Sequence, residues 1–321
     1  MPIQKQADVH VDAVLSNLLL DYGRADMIGN RVLPKITVEK DTGKYYLWAR
    51  NNINISGLIT RRDDRGKANE ITLDVSLDNY SMEQHALRDF LSDTIRKNAD
   101  SVLNIRQRYA QQVVDVMDLT KELAIRNTVF NTANYPAANK TTLTGNDRWN
   151  QIAQANSDPQ EDIANAQLVV LKEAGVWPST LVMGVELYQK LRRHAKILAS
   201  MQYVSRTGIE YVTDAELMNY LGVTKLIVGK ALYNQSVEGA TASNAFVWSN
   251  SALLMYEPPA GGGMGIPAFG YEFNPSHTPR TVSRYMENGL NGEWVEVNEK
   301  RFMKLTFPAA GFLFDGADGA A

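Results

Sequence analysis

Apolar residues recur at helical spacing from about Asn104 to Phe130, where Tyr109, Val113, Val116, Met117, Leu123 and Val129 line related faces. A helix of about 27 residues is ~40 Å long, well beyond the common length of roughly 10 to 14 residues. One small core cannot enclose such a rod. It reads as a spine along which the other elements are distributed.

The second constraint lies upstream. Tyr45, Leu47 and Ala49 alternate with Tyr46, Trp48 and Arg50, and Ile71, Leu73, Val75 and Leu77 alternate with Thr72, Asp74, Ser76 and Asp78. Period-two alternation predicts strands with one apolar face. With Ile53 and Ile55 they make a long two-stranded arm, and an isolated hairpin is marginal in water, so its apolar face needs a partner. At the tip, six of the seven residues from Arg61 to Lys67 are charged: Arg61, Arg62, Asp63, Asp64, Arg65 and Lys67. By itself such a run reads as a solvated hairpin loop; on a long ribbon with no local core, a mixed-sign tip also fits a neighbouring surface that supplies apolar contact and complementary charge.

Elsewhere the pattern predicts a short helix over Val11–Tyr22, extended chain to Tyr46, and a helix over Met82–Lys97 with Leu87, Phe90, Leu91, Thr94 and Ile95 on one face and an Asp93 to Lys97 ion pair. Residues 131–158 read as an irregular bridge. Asp158, Pro159, Glu161 and Asp162 form a helix start, and Gly175 stops that helix after about Ala174. Strand Ser179–Gly184, helix Val185–His194, helix Asp214–Gly222, strand Thr224–Gly229 and one or two strands in 244–259 follow. This alternation predicts a compact α/β domain. Residues 281–314 return to strand around Trp294, Val295, Val297, Phe302, Leu305 and Phe307.

Little points to catalysis. No cysteine is present, which excludes disulfides and thiolate chemistry. The histidines His10, His85, His194 and His277 are far apart and lack metal-site spacing. "GGGMG" at 261–265 lacks the lysine and hydroxyl of a phosphate loop, and Asp63 and Asp64 sit in a loop without the unlike environments that acid and base need. No catalytic, cofactor-binding or metal residue is assigned. The basic run "KLRRHAK" at 190–196 reads as a solvated helix end. A net charge of -3 gives no global attraction to nucleic acid or anionic membrane. With no signal-peptide pattern and no apolar run near ~18 residues, a soluble protein made in the cytosol is expected.

The order of parts, an arm, a long hairpin, a spine helix, a bridge, an α/β domain and returning strands, resembles the major capsid proteins of tailed bacteriophages with the Hong Kong 97 phage-type fold. "ADMIGNRVLPKITVEKDTGKYY", Ala25–Tyr46, is similar to the arm entering the family's extended loop, and "WPSTLVMGVELYQKLRRH", Trp177–His194, to the strand and helix of its axial domain. The resemblance implies an α+β fold with an N-terminal arm at 1–40 and an extended loop at 41–80. It implies a peripheral domain at 81–154 with the spine helix about 104–130, an axial domain at 155–275, and a return to the peripheral domain over 276–321. It further implies hexamers and pentamers in an icosahedral virion shell, assembled in the bacterial host's cytoplasm, with a portal and double-stranded DNA on the inner face. A decoration protein is left open. The chain before the extended loop is too short for the scaffolding segment of some relatives, so a separate scaffolding protein is expected. No cofactor and no membrane are implied. An encapsulin-like compartment is the same-fold alternative, and a soluble α/β enzyme the different-class one.

Overall fold

Twenty-five residues, Ile105–Val129, form a single helix, and its two halves pack on two different sheets. The computed structural model describes residues 10–11, 26–48, 76–98, 105–204, 211–237, 239, 241–257, 267–277 and 280–319. In chain order the first elements are β1 (His10–Val11), α1 (Gly29–Val32), β2 (Lys35–Val38), β3 (Thr42–Leu47), β4 (Ser76–Ser81), β5 (Glu83–Ser92), α2 (Asp93–Asn98), α3 (Ile105–Val129) and β6 (Lys140–Thr142). Next come α4 (Pro159–Ala174), β7 (Thr180–Gly184), α5 (Val185–Leu191), α6 (Ala195–Val204), α7 (Asp214–Leu221), β8 (Lys225–Gly229), β9 (Leu232–Asn234) and β10 (Asn244–Phe246). The last are β11 (Ala252–Met255), β12 (Tyr271–Pro275), β13 (Thr281–Tyr285), β14 (Gly292–Lys304) and β15 (Gly311–Asp315).

The first sheet has the order β1-β13-β14-β12-β2, with β5 also paired to β14. Alternate residues of β14 face α3, and Val295 and Val297 join Val282 in packing against Ala110, Val113, Val114 and Met117 of the helix. The second sheet has the order β6-β15-β11-β7-β8. Its strand β7 is buried throughout. Leu181 and Met183 face a core shared with Ile163, Val170, Leu187 and Leu217 of the covering helices, while Val182 faces Ile125, Val129 and Phe130 at the end of α3. A strand buried on both faces needs the continuous apolar run found there.

Where α3 crosses from one sheet to the other, Glu122 is buried and accepts three hydrogen bonds. Ile28 N donates at 2.7 Å, Gly29 N at 2.8 Å and Trp248 Nε1 at 2.6 Å. Burial pushes the carboxyl up, and Trp248 and the two amides act against that shift. The geometry leaves no slack around it. A Cβ on Gly29 would meet Glu122 Oε2 at 2.5 Å, one on Gly184 would lie 1.6 Å from the Trp248 carbonyl oxygen, and one on Gly229 would lie 2.3 Å from its ring. Gly184 and Gly229 are paired in the parallel β7/β8 register, so the two glycines together make the slot for Trp248.

Several expectations change. Residues 83–92 are strand, not helix: ten consecutive register pairs tie β5 to β14, from Glu83 opposite Arg301 to Ser92 opposite Gly292. Leu87, Phe90 and Leu91 satisfy helical spacing equally well, and a partner strand some two hundred residues downstream decides between the two. Helix begins only at Asp93, whose ion pair is with Arg96 at 2.7 Å and not with Lys97. Val11 lies in β1, and the remainder of the helix expected over 11–22 falls outside the described residues. The segment before the hairpin is not a free arm from residue 28 onward, because Ile28, Val32 and Leu33 are buried and β2 pairs in parallel with β12. Sheet membership also departs from the expected spans: β12 belongs to the first sheet, whereas β6 and β15 belong to the second.

Glu122→Ala is expected to strand three buried donors and to lower stability by about 3 kcal/mol or more, at about 1 kcal/mol or more for each. Trp248→Phe, which keeps most of the packing and removes one bond, is expected to cost clearly less. Urea midpoints of the subunit measure both, and an unchanged midpoint for Glu122→Ala would refute this role.

Candidate functional site

Residues 42–47 and 76–81 form a two-stranded antiparallel ribbon, with Thr42 opposite Ser81 and Leu47 opposite Ser76. Its inner face is held on the first sheet. Tyr45 and Tyr80 are buried against Phe273 of β12, with ring centroids 5.7 and 5.5 Å away, and the Tyr80 and Phe273 planes lie 5° from parallel. Gly43 permits this contact, since a Cβ there would lie 2.6 Å from the Tyr80 hydroxyl. Among the described residues the outer face has no such cover. Tyr46 and Leu77 stand directly opposite each other, 45% and 53% exposed.

Charged groups fix the root's angle. Asp41, in the turn before β3, contacts Lys300 Nζ at 2.6 Å and His277 Nε2 at 3.1 Å, and its carbonyl accepts from Met82 N at 2.8 Å. Tyr45 donates its hydroxyl to Asp78 at 2.7 Å, and Lys304 stands 4.0 Å from the same carboxylate. The Lys300 hydrogen bond, its charge and His277 hold the Asp41 carboxyl below its ordinary range against burial. The Tyr45 hydroxyl, then the Asn79 amide, do the same for Asp78. Burial, then Asp78, push the Tyr45 phenol up.

The expected alternation is present in β3, but the two apolar faces do not coincide as grouped from sequence. Tyr45 lies opposite Asp78, and Leu77 lies opposite the exposed Tyr46. The charged tip, Arg61, Arg62, Asp63, Asp64, Arg65 and Lys67, lies outside the described residues, as does "GGGMG". Asp41, His277, Lys300 and Phe273 were not singled out by sequence reasoning for the root; only the alternation at 42–47 signals it.

A groove of about 620 Å³ runs between β5 and the first turns of α3, lined by Asp89, Phe90, Ile105, Arg108, Tyr109 and Asp115 among others. Strand β5 pairs with β14 along one edge and, among the described residues, with no strand along the other. The basic run at 190–196 is not simply solvated. Lys190 contacts Asp318 at 2.6 Å, Lys196 contacts Asp158 at 2.8 Å, and Arg192 Nε donates to the Val212 carbonyl at 2.8 Å. His194 is fully buried, its Nε2 3.0 Å from Ser157 Oγ, and burial lowers its pKa. Among the described residues no group of three or more His, Asp or Glu is placed to hold a metal ion, and no helix is long and apolar enough to cross a membrane.

Comparison with known proteins matches residues 29–264 to a family model described as phage major capsid protein E. The major capsid protein of Burkholderia phage BcepMu is 26% identical over 319 residues, covering 96% of this chain and 97% of its own. A crystal structure of a phage-related protein from Bordetella bronchiseptica superposes with a TM-score of 0.75 at 24% identity, covering 97% of this chain and 98% of that one. The capsid structure of cyanophage P-SCSP1u gives a TM-score of 0.62 at 9% identity, with 92% and 89% covered.

Because Asp41 and Asp78 are both held low, the root contacts they make are present above the ordinary carboxylate range and are lost as pH falls through their depressed values. Protection of the amides at 42–47 and 76–81, taken relative to the intrinsic exchange rate at each pH, should therefore fall on acidification below about pH 4. In Asp41→Asn with Asp78→Asn that protection should already be low at neutral pH and change less with acid. Equal acid responses in the two proteins would count against the charge-fixed root.

Proposed function

The chain belongs to the phage major capsid protein E family, and we propose that its ribbon joins each subunit to the next in a closed icosahedral shell. The protein is a structural capsid subunit of the virion with a Hong Kong 97 phage-type fold, and not an enzyme. In the proposed shell, hexamers and pentamers tile the surface around double-stranded DNA. Residues 1 to about 40 act as the arm, its last part from Ile28 packed on the subunit itself, and 41–80 as the extended loop. The first sheet with α2 and α3 acts as the peripheral domain, and the second sheet with its helices as the axial domain. A separate scaffolding protein and a portal complete assembly in the host cytoplasm, and the outer surface is open to a decoration protein.

The observation that carries this reading is the contrast between the ribbon's two faces. The inner face is fixed by aromatic contact and by the polar contacts of Asp41, Asp78, Lys300 and His277, whereas the outer one presents Tyr46 and Leu77 to whatever covers it. A ribbon held rigidly at its root and carrying an exposed Tyr46 and Leu77 pair on its free side is built to reach another surface. Arg61, Arg62, Asp63, Asp64, Arg65 and Lys67 would lie over an adjacent subunit and pair with charges there. Each exposed pair is worth only ~0 to 1 kcal/mol, so strength comes from repetition around a closed symmetry and charge sets the register. An encapsulin-like compartment would have the same fold; the family and the BcepMu relative favour the phage shell.

Electron microscopy of the expressed protein should show closed polyhedral particles. Replacing Arg61, Arg62 and Arg65 together by alanine should reduce particle yield or heat stability while the subunit's circular dichroism is unchanged. Particles equal in number and melting temperature to the wild type would overturn the role given to the tip.

A further inference from the structure

Asparagine is followed directly by glycine twice in this chain, at Asn288-Gly289 and at Asn291-Gly292. Both pairs lie where β13 turns into β14, yet the fold treats them differently. Leu290 N donates to the Glu287 carbonyl at 3.2 Å, which closes a four-residue turn with Gly289 in third position at a φ of 93°. A type II turn asks for positive φ at that residue, and glycine supplies it without a Cβ clash. Asn288 and Gly289 are both exposed, and a Cβ on Gly289 would meet nothing within 4 Å. Among the described residues neither the Asn288 carboxamide nor the Gly289 amide makes a hydrogen bond.

The second pair is held. Gly292 is buried and opens β14 opposite Ser92 of β5, and the Asn291 carbonyl accepts from Asp93 N at 3.1 Å. A Cβ on Gly292 would lie 2.5 Å from the Leu91 carbonyl oxygen and 2.6 Å from the Phe90 ring, so the backbone there has no room to swing. We propose that Asn288 is a self-modifying site, whose carboxamide is attacked by the Gly289 backbone nitrogen and then hydrolysed to a carboxylate, while pairing with β5 preserves Asn291. In the open turn the nitrogen is free to reach the side chain of the residue before it, with no Cβ in the way. The same ring closure at Asn291 would lift the start of β14 off its partner strand.

Water is the only co-reactant. Water or hydroxide takes the Gly289 amide proton, and the nitrogen attacks Asn288 Cγ to close a cyclic imide. The bond from Cγ to Nδ2 breaks, and Nδ2 leaves as ammonia with a proton from solvent. Water then adds to either carbonyl of the imide. Opening at Cγ restores the original backbone with aspartate in place, whereas opening at the main-chain carbonyl carbon leaves isoaspartate, whose backbone runs through Cγ. The sum consumes an amide and a water and yields a carboxylic acid and ammonia, with no atom oxidised or reduced. Loss of the ammonia makes the change one-way. Each modified subunit gains a negative charge between the exposed Met286 and Leu290. It lies next in sequence to Glu287, whose carboxylate accepts from Trp294 Nε1 at 2.9 Å and stands 3.8 Å from Arg88 Nη1.

The test is to hold the folded full-length chain at mildly alkaline pH, digest it at acidic pH and follow the hairpin peptide by mass spectrometry, with fragment ions assigning any change to one asparagine or the other. The expected result is gradual loss of Asn288 to two chromatographically separate products, each carrying oxygen in place of NH. Asn291 should stay intact in the folded protein and convert along with Asn288 in urea, so that the fold and not the dipeptide makes the difference. Asn288→Gln, whose longer side chain cannot close the same ring, should lose the conversion and keep the wild-type circular dichroism. Asn288 persisting in the folded chain while it converts in urea overturns the proposal, as does equal conversion of the two asparagines in the folded chain. Either result leaves the shell reading untouched.

Discussion

The Glu122 carboxylate sits where the long helix passes from one sheet to the other, and three donors from two parts of the chain converge on it. Two are backbone amides at the start of a four-residue helix, which has orphan N–H groups and little else to satisfy them. The third is the indole of Trp248, seated in a slot that Gly184 and Gly229 leave open. Removing the carboxylate leaves all three donors buried and unpaired, which is costlier than the bonds themselves are worth. The arrangement therefore fixes the angle between the sheets more firmly than apolar packing alone, which tolerates sliding.

One residue earlier, Lys121 points the other way, to Glu272 under the first sheet. Adjacent positions on a helix are about 100° apart, so Lys121 and Glu122 reach different neighbours. Buried ion pairs seldom add net stability over apolar substitutes, and their use lies in specifying one arrangement. Here the specified arrangement is a line of contact from the second sheet through α3 and β12 to Phe273 and the ribbon root. The ribbon's direction is thus set by the body of the subunit and not by its own two strands.

What the sequence revealed was local. The long helix was legible to within a residue, and Asp158, Pro159 and Gly175 bound α4 as their capping chemistry requires: the Asp158 side chain accepts from Glu161 N, and Gly175 adopts φ of 75°. Strand β5 was misread because Leu87, Phe90 and Leu91 fit two periods and its partner lies far downstream. The ribbon's alternation was visible in Tyr45 and Tyr46, but Asp41 and Lys300, 259 residues apart, carry no shared signal in a single chain. Buried charge is equally silent: nothing near Lys121 or Glu122 distinguishes them from the solvated acids and bases of an ordinary helix.

Strand β15, the last of the described strands in chain order, inserts between β6 and β11 and so completes the second sheet from within. During synthesis β11, β7 and β8 must wait with an open apolar edge until Gly311–Asp315 leaves the ribosome, and the helices cannot close their core before then. A polypeptide cut short before β15 therefore lacks a finished second sheet with which to enter and poison a growing lattice.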